Sequence, residues 1–340
     1  MERYGSARTI GDYEIFEGDA LGRGGSGVVF LGHHPRLGRP VAFKRVELDA
    51  PAETVERFVR EAQLAGSLTH PSIVFVFDVF EHEGVPYIAM EYVERGSLRH
   101  WMPVGPTQAF IAIEGMLEAL GYAHRSGIVH RDVKPENLLV TDGGAVKLAD
   151  FSLASGLAVI SDTVAGTPGY VSPEVIAGLH AGPKSDLYSA GAVAYELLTG
   201  RPIVDHADAS VFARRHNEPI RPPLEVAPSL DPEVAAWLER MLAERPSDRP
   251  ASAEAAWEEL ERSVARVHGG LWRRDAHGGW AFSPKHETST AITEAGSRES
   301  VIFTPARNWR RDLALGAAAL LATTALVRIV RAYARRNSAS

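Results

Sequence analysis

The sequence predicts an α+β protein with two lobes, a small β-rich lobe that carries one helix and a larger, mostly helical lobe. Three observations predict this fold. Short runs of β-branched and aromatic residues, bounded by glycine or proline, fill most of the first 93 residues. One segment among them repeats apolar residues every three or four positions, and this helical period dominates from residue 107 onward. With 340 residues and 45% apolar residues, the chain can bury a sizeable core.

The small lobe is predicted to span residues 13–93 and the larger lobe residues 94–266. In the small lobe, residues 53–68 form the one amphipathic helix, with Phe58 and Ala62 on its apolar face. The strand candidates are residues 13–18, 27–32, 40–48, 73–80 and 86–92. The helices expected in the larger lobe are residues 107–127, 185–200, 231–243 and 252–267.

The composition excludes several kinds of site. There is no cysteine, which rules out disulfides, thiolate zinc sites and thiol nucleophiles. The N-terminus lacks the apolar core that a secretory signal needs, so we expect the body of the chain to be cytoplasmic. The net charge of −7 combines an acidic body with a basic tail, since residues 301–340 hold seven Arg and one Asp. An acidic body argues against a nucleic-acid partner.

A glycine-rich run follows the first strand candidate. Gly22, Gly24 and Gly27 match G-x-G-x-x-G, a pattern in which backbone N–H groups approach phosphate oxygens without interference from a Cβ atom. A dinucleotide-binding loop would open a helix here, but the VVFLG that follows is typical of a strand, so we expect the phosphates beneath a hairpin. The predicted nucleotide-contacting residues of this run are Gly22, Arg23, Gly24, Gly25, Ser26, Gly27 and Val29.

Lys44 and Glu61 are the next candidates for a phosphate site. Lys44 ends the strand VAFK, and Glu61 on the following helix is the predicted carboxylate that positions its ammonium group. Considered singly, each would be an ordinary surface residue. Their shared context with the glycine run favours a function.

The run HRDVKPENLLV places three candidate functional side chains in a loop between a helix and a strand. Asp132 can accept the proton of a hydroxyl group, Lys134 can offset charge on a migrating phosphoryl group, and Asn137 offers a carbonyl oxygen to Mg²⁺. Asp150, thirteen residues after Asn137, offers a second oxygen ligand. Since phosphoryl transfer is accelerated mainly by positioning and charge stabilisation, these groups could catalyse it.

Taken in order, these motifs resemble those of the Hanks-type (eukaryotic-like) serine/threonine protein kinases of bacteria. The resemblance covers roughly residues 13–266 and rests on the runs GRGGSGVV, VAFK, EYV, HRDVKPEN, DFS, GTPGYVSPE and DLYSAG. It implies ATP in a cleft between the lobes, Mg²⁺ as cofactor, and Ser or Thr hydroxyls of protein substrates as acceptors. Lys134, two residues after Asp132, matches the serine/threonine rather than the tyrosine pattern.

The resemblance also implies roles for residues outside the two loops. Met90 would be the gatekeeper beside the nucleotide, and the hinge would run from Glu91 to Val93. Thr167 falls where the family positions its substrate. The residues implied to be structural are Asp186, beneath the catalytic loop, and the ion-paired Glu174 and Arg249.

Arg131 is implied to receive a phosphate from the activation segment, residues 150–174. The candidate acceptors in that segment are Ser161 and Thr163. A phosphate there would add about −2 charge and several acceptor oxygens, which could order the segment against Arg131. Ordinary loop hydroxyls are the alternative interpretation of both residues.

Ser152 stands where the family has the glycine of D-F-G. Serine reaches positive φ at a cost of about 1 kcal/mol, so we expect it to restrict movement of this segment without removing a metal ligand. Asp150 is therefore expected to function. The alternative that Ser152 favours is a pseudokinase-like, membrane-tethered scaffold that binds nucleotide. A small-molecule phosphotransferase is a third interpretation, against which GTPGYVSPE counts.

The end of the chain is expected to be a flexible linker followed by a basic, apolar tail. Residues 267–306 are rich in Gly, Ser, Thr and His, which is typical of a linker. In the tail, residues 307–340, an apolar helix over residues 313–330 would be ~27 Å long, close to a ~30 Å hydrocarbon core. We expect membrane association, with packing on a partner as the alternative. A stripe that could pair two such helices in a homodimer consists of Ala314, Ala318 and Ala322.

Overall fold

The computed structural model describes residues 7–24, 27–46, 52–151, 169–204 and 219–269. Several residues with a predicted role lie outside the described ranges, and so do the linker beyond residue 269 and the tail. These residues are Gly25, Ser26, Ser152, Ser161, Thr163 and Thr167. Within the described ranges, no helix is long and apolar enough to cross a membrane.

A six-stranded antiparallel sheet forms the small lobe, in the order β1-β2-β3-β4-β6-β5. The strands are β1 Ala7–Ile10, β2 Tyr13–Gly24, β3 Gly27–His34, β4 Arg39–Arg45, β5 Val76–His82 and β6 Val85–Glu91. The five predicted strands are confirmed, and β1 is additional. Three of the four residues of β1 are exposed, so it lacks the apolar alternation that identifies a strand in a sequence. The sheet thus begins before residue 13.

Helix α1, Ala52–Gly66, packs against β5 and β6 of this sheet, as its periodicity predicts. Its apolar face joins residues of the sheet in a separate small core. The members of this core are Val46, Val55, Phe58, Val59, Ala62 and Ile88. Burial of this face fixes α1 on the sheet, in contact with the core that includes Val46, the residue after β4.

Within residues 94–151, 169–204 and 219–269, the larger lobe is helical apart from one short hairpin and its connecting loops. The helices are α2 Pro106–Arg125, α3 Pro173–Ile176, α4 Pro183–Thr199, α5 Pro223–Val226, α6 Pro232–Met241 and α7 Ala253–His268. The hairpin consists of β7 Leu138–Val140 and β8 Val146–Leu148, and 3₁₀ turns cover Leu98–Trp101, Pro135–Asn137 and Pro246–Asp248. The four predicted helices are confirmed, and α2 and α4 pack together at the centre of the main core.

A glycine in α2 allows the hairpin to approach the helix core closely. A Cβ atom at Gly115 would lie 2.6 Å from the carbonyl oxygen of Val146, a separation that a real side chain cannot adopt. Because β8 leads directly to Asp150, this contact positions the candidate site on the helical lobe.

A buried ion pair joins α3 to the segment before α7. The guanidinium of Arg249 is fully buried and donates two hydrogen bonds of 2.8 Å to the carboxylate of Glu174. Its remaining bonds go to three backbone carbonyls, those of Ala243, Lys184 and Glu244. Every N–H group of the arginine is therefore satisfied, which a buried charge requires.

We predict that Arg249→Ala lowers the free energy of unfolding by about 3–5 kcal/mol, because Glu174 would be left as a buried charge without its partner. The matched control is Arg240→Ala, which removes an arginine whose side chain is 48% exposed and paired with Glu259 on the surface. That change should cost less than about 1 kcal/mol. Urea unfolding of both variants measures the difference, and equal losses would contradict this account of the pair.

The same pair predicts a dependence of stability on pH. Desolvation alone would raise the pKa of Glu174, but hydrogen bonds from Arg249 and Ser185 lower the pKa to about 2. A lowered carboxyl pKa stabilises the fold above its ordinary value of 4.5, and this stabilisation is lost as the pH falls toward 2. We predict a steeper loss of unfolding free energy below pH 4.5 for the wild type than for Glu174→Gln. Parallel pH curves would refute the assignment.

Candidate active site

The described residues of the glycine run lie at the ends of β2 and β3, not at the start of a helix. Gly22 pairs with Val29, Arg23 with Val28, and Gly24 with Gly27 across the ladder. Gly27 has φ 132°, and a Cβ atom there would lie 2.1 Å from the carbonyl oxygen of Arg45. Only glycine fits at this position. The strand on either side of the run agrees with the predicted hairpin, and phosphate binding by the run stays a prediction.

Lys44 and Asp150 form an ion pair between the two lobes. Lys44 lies in β4, where its ladder partners are Val29 and Ile88, and its side chain is 6% exposed. Its Nζ atom lies 2.8 Å from Oδ1 of Asp150. Desolvation alone would raise the pKa of Asp150, but the attraction and hydrogen bond of Lys44 lower it below the usual value. Asp150 is therefore an anion near neutral pH.

Asp150 also has an uncommon backbone conformation, with φ 57°. A non-glycine residue in the left-handed region stays there only when its surroundings fix it. The neighbours that fix Asp150 are the ion pair with Lys44 and the buried ring of Phe151, which packs edge-on against His130 at 4.7 Å. The carboxylate is thus held toward β4.

Glu61 lies in α1, the helix that packs on β5 and β6, but the position of its side chain lies outside what the structure describes. Its pairing with Lys44 accordingly stays a prediction. Among the described contacts, Lys44 binds Asp150, which the sequence predicts as a metal ligand.

Asp132, Lys134 and Asn137 come together in the loop that precedes β7. Lys134 Nζ lies 2.7 Å from Asp132 Oδ2. The amide of Asn137 donates to the same Oδ2 at 3.1 Å and to the backbone carbonyl of Asp132 at 2.8 Å. Both side-chain contacts use Oδ2 of Asp132, and Oδ1 has no hydrogen bond to a residue that the structure describes.

A single carboxylate from α4 holds this loop from below. The side chain of Asp186 is 1% exposed, and its two oxygens accept from the backbone N–H groups of His130 and Arg131 at 2.8 Å each. His124 of α2 adds a ring N–H at 2.8 Å. Arg131 has φ 69°, so the backbone turns sharply just before Asp132. These bonds give Asp186 the bracing contacts that the sequence resemblance implies.

His130 connects the loop to the strand that leads to Asp150. Its Nε2 atom lies 2.9 Å from the carbonyl oxygen of Ala149, and its Nδ1 atom accepts from the backbone N–H of Asp132 at 3.2 Å. Since a carbonyl oxygen can only accept, the ring proton lies on Nε2. Three residues that the sequence does not predict as contributors are His130, His124 and Lys147. Each is a polar residue beside an apolar segment, which is the signal that could have found them.

The hinge differs in one respect from what the sequence suggests. The carboxylate of Glu91 points to Lys147 of β8, at 2.8 Å, and also accepts from the backbone N–H of Phe75 at 3.2 Å. Its side chain therefore ties the hinge to both lobes, and its backbone N–H donates to the carbonyl oxygen of Phe75 at 2.8 Å. Val93 packs with Val74 and Ala149 in a small apolar cluster.

A pocket extends from this apolar cluster toward α1. Met90, the predicted gatekeeper, lines it and pairs with Ala42 in the sheet. The other lining residues that matter here are Lys44, Ala62, Ala149, Asp150 and Phe151. Among the described residues, the lining of this pocket thus combines apolar side chains with the cation of Lys44 and the carboxylate of Asp150.

Comparison with known proteins agrees with this geometry. The family model described as "Protein kinase domain" matches residues 16–260. A solved structure of the Mycobacterium tuberculosis PknI kinase domain superposes with a TM-score of 0.59 and 29% identity, covering 76% of this chain and 97% of that chain. The match therefore includes both lobes of the PknI domain.

Curated relatives are bacterial proteins of the same kind. A probable serine/threonine-protein kinase of Streptomyces coelicolor is 38% identical, over 85% of this chain and 46% of its own length. Serine/threonine-protein kinase PknB of Mycobacterium tuberculosis is 37% identical, over 76% of this chain and 43% of its own length. The chain thus spans less than half the length of these relatives. On the match of the family model to most of its length, this chain belongs to the protein kinase domain family.

Proposed function

We propose that this protein is a serine/threonine protein kinase that transfers the γ-phosphoryl group of ATP to hydroxyl groups of proteins. The observation that carries the proposal is the meeting of two charged groups from different lobes. One group is the ion pair between Lys44 and Asp150. The other is the cluster of Asp132, Lys134 and Asn137, in the loop that precedes β7. The names of the bacterial relatives support serine and threonine as acceptors.

Asp132 is proposed to accept the proton of the incoming hydroxyl. Lys134 and Asn137 both contact its Oδ2 atom, so the carboxylate is fixed in orientation while Oδ1 faces a reactant. The ammonium of Lys134 then offsets the negative charge that develops on the transferred group. Positioning of this kind is the main contribution a protein makes to phosphoryl transfer.

Asn137 and Asp150 are proposed to hold Mg²⁺, and their chemistry fits that cation. Both supply oxygen, the ligand atom that Mg²⁺ prefers, and the lowered pKa of Asp150 keeps its carboxylate ionised. The two hydrogen bonds of Asn137 use its amide nitrogen, so its amide oxygen is left for a ligand. When bound, the cation supplies positive charge beside the phosphates.

ATP is proposed to lie between the glycine hairpin and the hinge. Backbone N–H groups of the run from Gly22 to Gly27 would contact its phosphates. The ammonium group of Lys44, which now binds Asp150, would bind the phosphates as well. The apolar cluster of Val93, Val74 and Ala149 offers a surface for the base. Glu91 would act through its backbone, because its side chain is bound to Lys147.

Further proposals concern residues outside the described ranges. Phosphorylation of Ser161 or Thr163 is proposed to order the activation segment through Arg131, whose backbone N–H is held at 2.8 Å by Asp186. Thr167 is proposed to position the substrate. The kinase domain is proposed to be cytoplasmic, with residues 313–330 supporting membrane association and a homodimer. These last proposals rest on the sequence alone.

The test of the proposed function is transfer of labelled phosphate from ATP with Mg²⁺, by the full chain, to itself and to a Ser/Thr-rich protein. We predict that Asp132→Asn lowers the rate by about 10²–10⁴-fold, since it removes the proposed proton acceptor. The matched control is Asp142→Asn, which changes an aspartate that is 72% exposed in the β7–β8 turn. This control should keep at least half of the rate.

Phosphoserine and phosphothreonine in the products, identified by mass spectrometry, would support the proposal. Full activity of Asp132→Asn would refute the role of that residue. A wild type that is stabilised by ATP and Mg²⁺ in thermal unfolding, yet transfers no phosphate, would refute the kinase activity and favour a nucleotide-binding scaffold.

A further inference from the structure

An interlobe joint lies beside the strand that leads to Asp150. Three segments form it, namely the end of β6, residues 72–75 before β5, and β8 of the larger lobe. Leu148 of β8 donates its backbone N–H to the carbonyl oxygen of Ser72 at 2.8 Å and accepts from the backbone N–H of Val74 at 3.0 Å. These two bonds join the β7–β8 hairpin to the small lobe.

Glu91 closes the interlobe joint from the hinge. Its backbone N–H donates to the carbonyl oxygen of Phe75 at 2.8 Å, and the backbone N–H of Phe75 donates to its carboxylate at 3.2 Å. Lys147 of β8 places its Nζ atom 2.8 Å from Oε1 and 2.9 Å from Oε2 of the same carboxylate. The contacts therefore form a closed ring that passes through each of the three segments.

The ion pair in this ring is shielded and borders the surface proposed for the base of ATP. The side chain of Lys147 is 16% exposed and that of Glu91 is 29% exposed, so solvent screens their attraction less than it screens a pair on the open surface. Lys147 and Ala149 are two positions apart in an extended segment and lie on one face of it. Ala149 belongs to the apolar cluster with Val74 and Val93.

The same segment carries a proposed metal ligand. Asp150 follows Lys147 by three residues, a separation of at most about 11 Å in an extended chain. Between them, Ala149 donates its backbone N–H to the carbonyl oxygen of Asn137, the other proposed metal ligand, at 2.8 Å. A displacement of β8 relative to the hinge would therefore move both ligands relative to a nucleotide bound at the hinge. Because phosphoryl transfer depends mainly on positioning, such a displacement lowers the rate.

We propose that Lys147 is a positioning residue for phosphoryl transfer, whose ion pair with Glu91 sets the distance between the hinge and the proposed metal ligands Asp150 and Asn137. This inference rests on the proposed kinase function. Lys147 acts through Glu91 and β8, and not by contact with ATP or the cation. Without its ammonium group, the Glu91 carboxylate keeps the N–H of Phe75 among its described partners, and the hinge loses its side-chain bond to β8.

The test measures kcat and KM for ATP, and the Mg²⁺ concentration that gives half of the maximal rate, for the full chain acting on a Ser/Thr-rich protein. The variants are Lys147→Met, Lys147→Arg, Glu91→Gln, and Lys147→Met combined with Glu91→Gln. Methionine keeps most of the stem without the charge, and glutamine keeps an acceptor for Phe75. The matched control is Asp142→Asn, which breaks a second pair between the segment after the hinge and the hairpin, where Arg95 binds an aspartate that is 72% exposed.

We expect Lys147→Met to lower kcat/KM for ATP by about tenfold and to raise the half-saturating Mg²⁺ concentration by about threefold, since small misplacements of reacting groups are costly. Glu91→Gln should have the same effects, and the double variant should lose no more than either single variant, because both remove one interaction. Lys147→Arg and Asp142→Asn should keep at least half of kcat/KM. A merely structural role would lower thermal stability and leave kcat and KM of the folded protein unchanged.

Amide hydrogen exchange, measured without ATP and Mg²⁺, gives a readout that is independent of activity. Lys147→Met and Glu91→Gln should exchange faster at the amides of Phe75, Val74 and Leu148, because the ring of contacts is opened. The amides of α4 should keep their wild-type protection. Wild-type exchange at all three amides of the interlobe joint would overturn the inference.

The kinetic results separate the inference from the proposed function. A folded Lys147→Met with wild-type kcat/KM for ATP and wild-type Mg²⁺ dependence would overturn the inference and leave the kinase function intact. Losses that add in the double variant would overturn it as well, since the two residues would then act separately. If Lys147→Met fails to fold, wild-type kinetics of Glu91→Gln would contradict the inference. A wild type that transfers no phosphate to any protein would overturn the proposed function, and this inference with it.

Discussion

The structure depends on the way one buried carboxylate organises the catalytic loop. Asp186 is almost fully enclosed by the helical core, where an unpaired charge would be costly. The backbone N–H groups of His130 and Arg131, together with the ring of His124, satisfy its oxygens. In return, the loop is fixed in a sharp turn that no local sequence preference would maintain, since Arg131 is a non-glycine residue with positive φ.

From this carboxylate a continuous set of contacts runs to the opposite lobe. Asp186 holds the backbone of His130, and the ring of His130 binds the carbonyl oxygen of Ala149. The next residue, Asp150, pairs with Lys44 of β4. A second connection runs from the hinge, where Glu91 binds Lys147 of β8. The groups proposed to act on phosphate are thus positioned by helices on one side and by the sheet on the other.

Much of this arrangement could be predicted from the sequence. Helical periodicity located the four long helices of the larger lobe, because each buries a continuous apolar face. The loop residues Asp132, Lys134 and Asn137 were found because their spacing is short and local. Strand β1 was missed because its exposed residues carry no alternation. The direction of the Glu91 side chain and the Lys44–Asp150 pair depend on contacts between distant segments, which no local pattern encodes.

The most direct test of the central claim is Asp186→Asn, studied by amide hydrogen exchange and by activity. An asparagine has one acceptor oxygen where the carboxylate has two, so one loop N–H loses its partner. We expect faster exchange at His130 and Arg131, and a lower kcat with little change in KM for ATP, while the folded helices keep their protection. Unchanged exchange at both amides together with wild-type kcat would contradict the account.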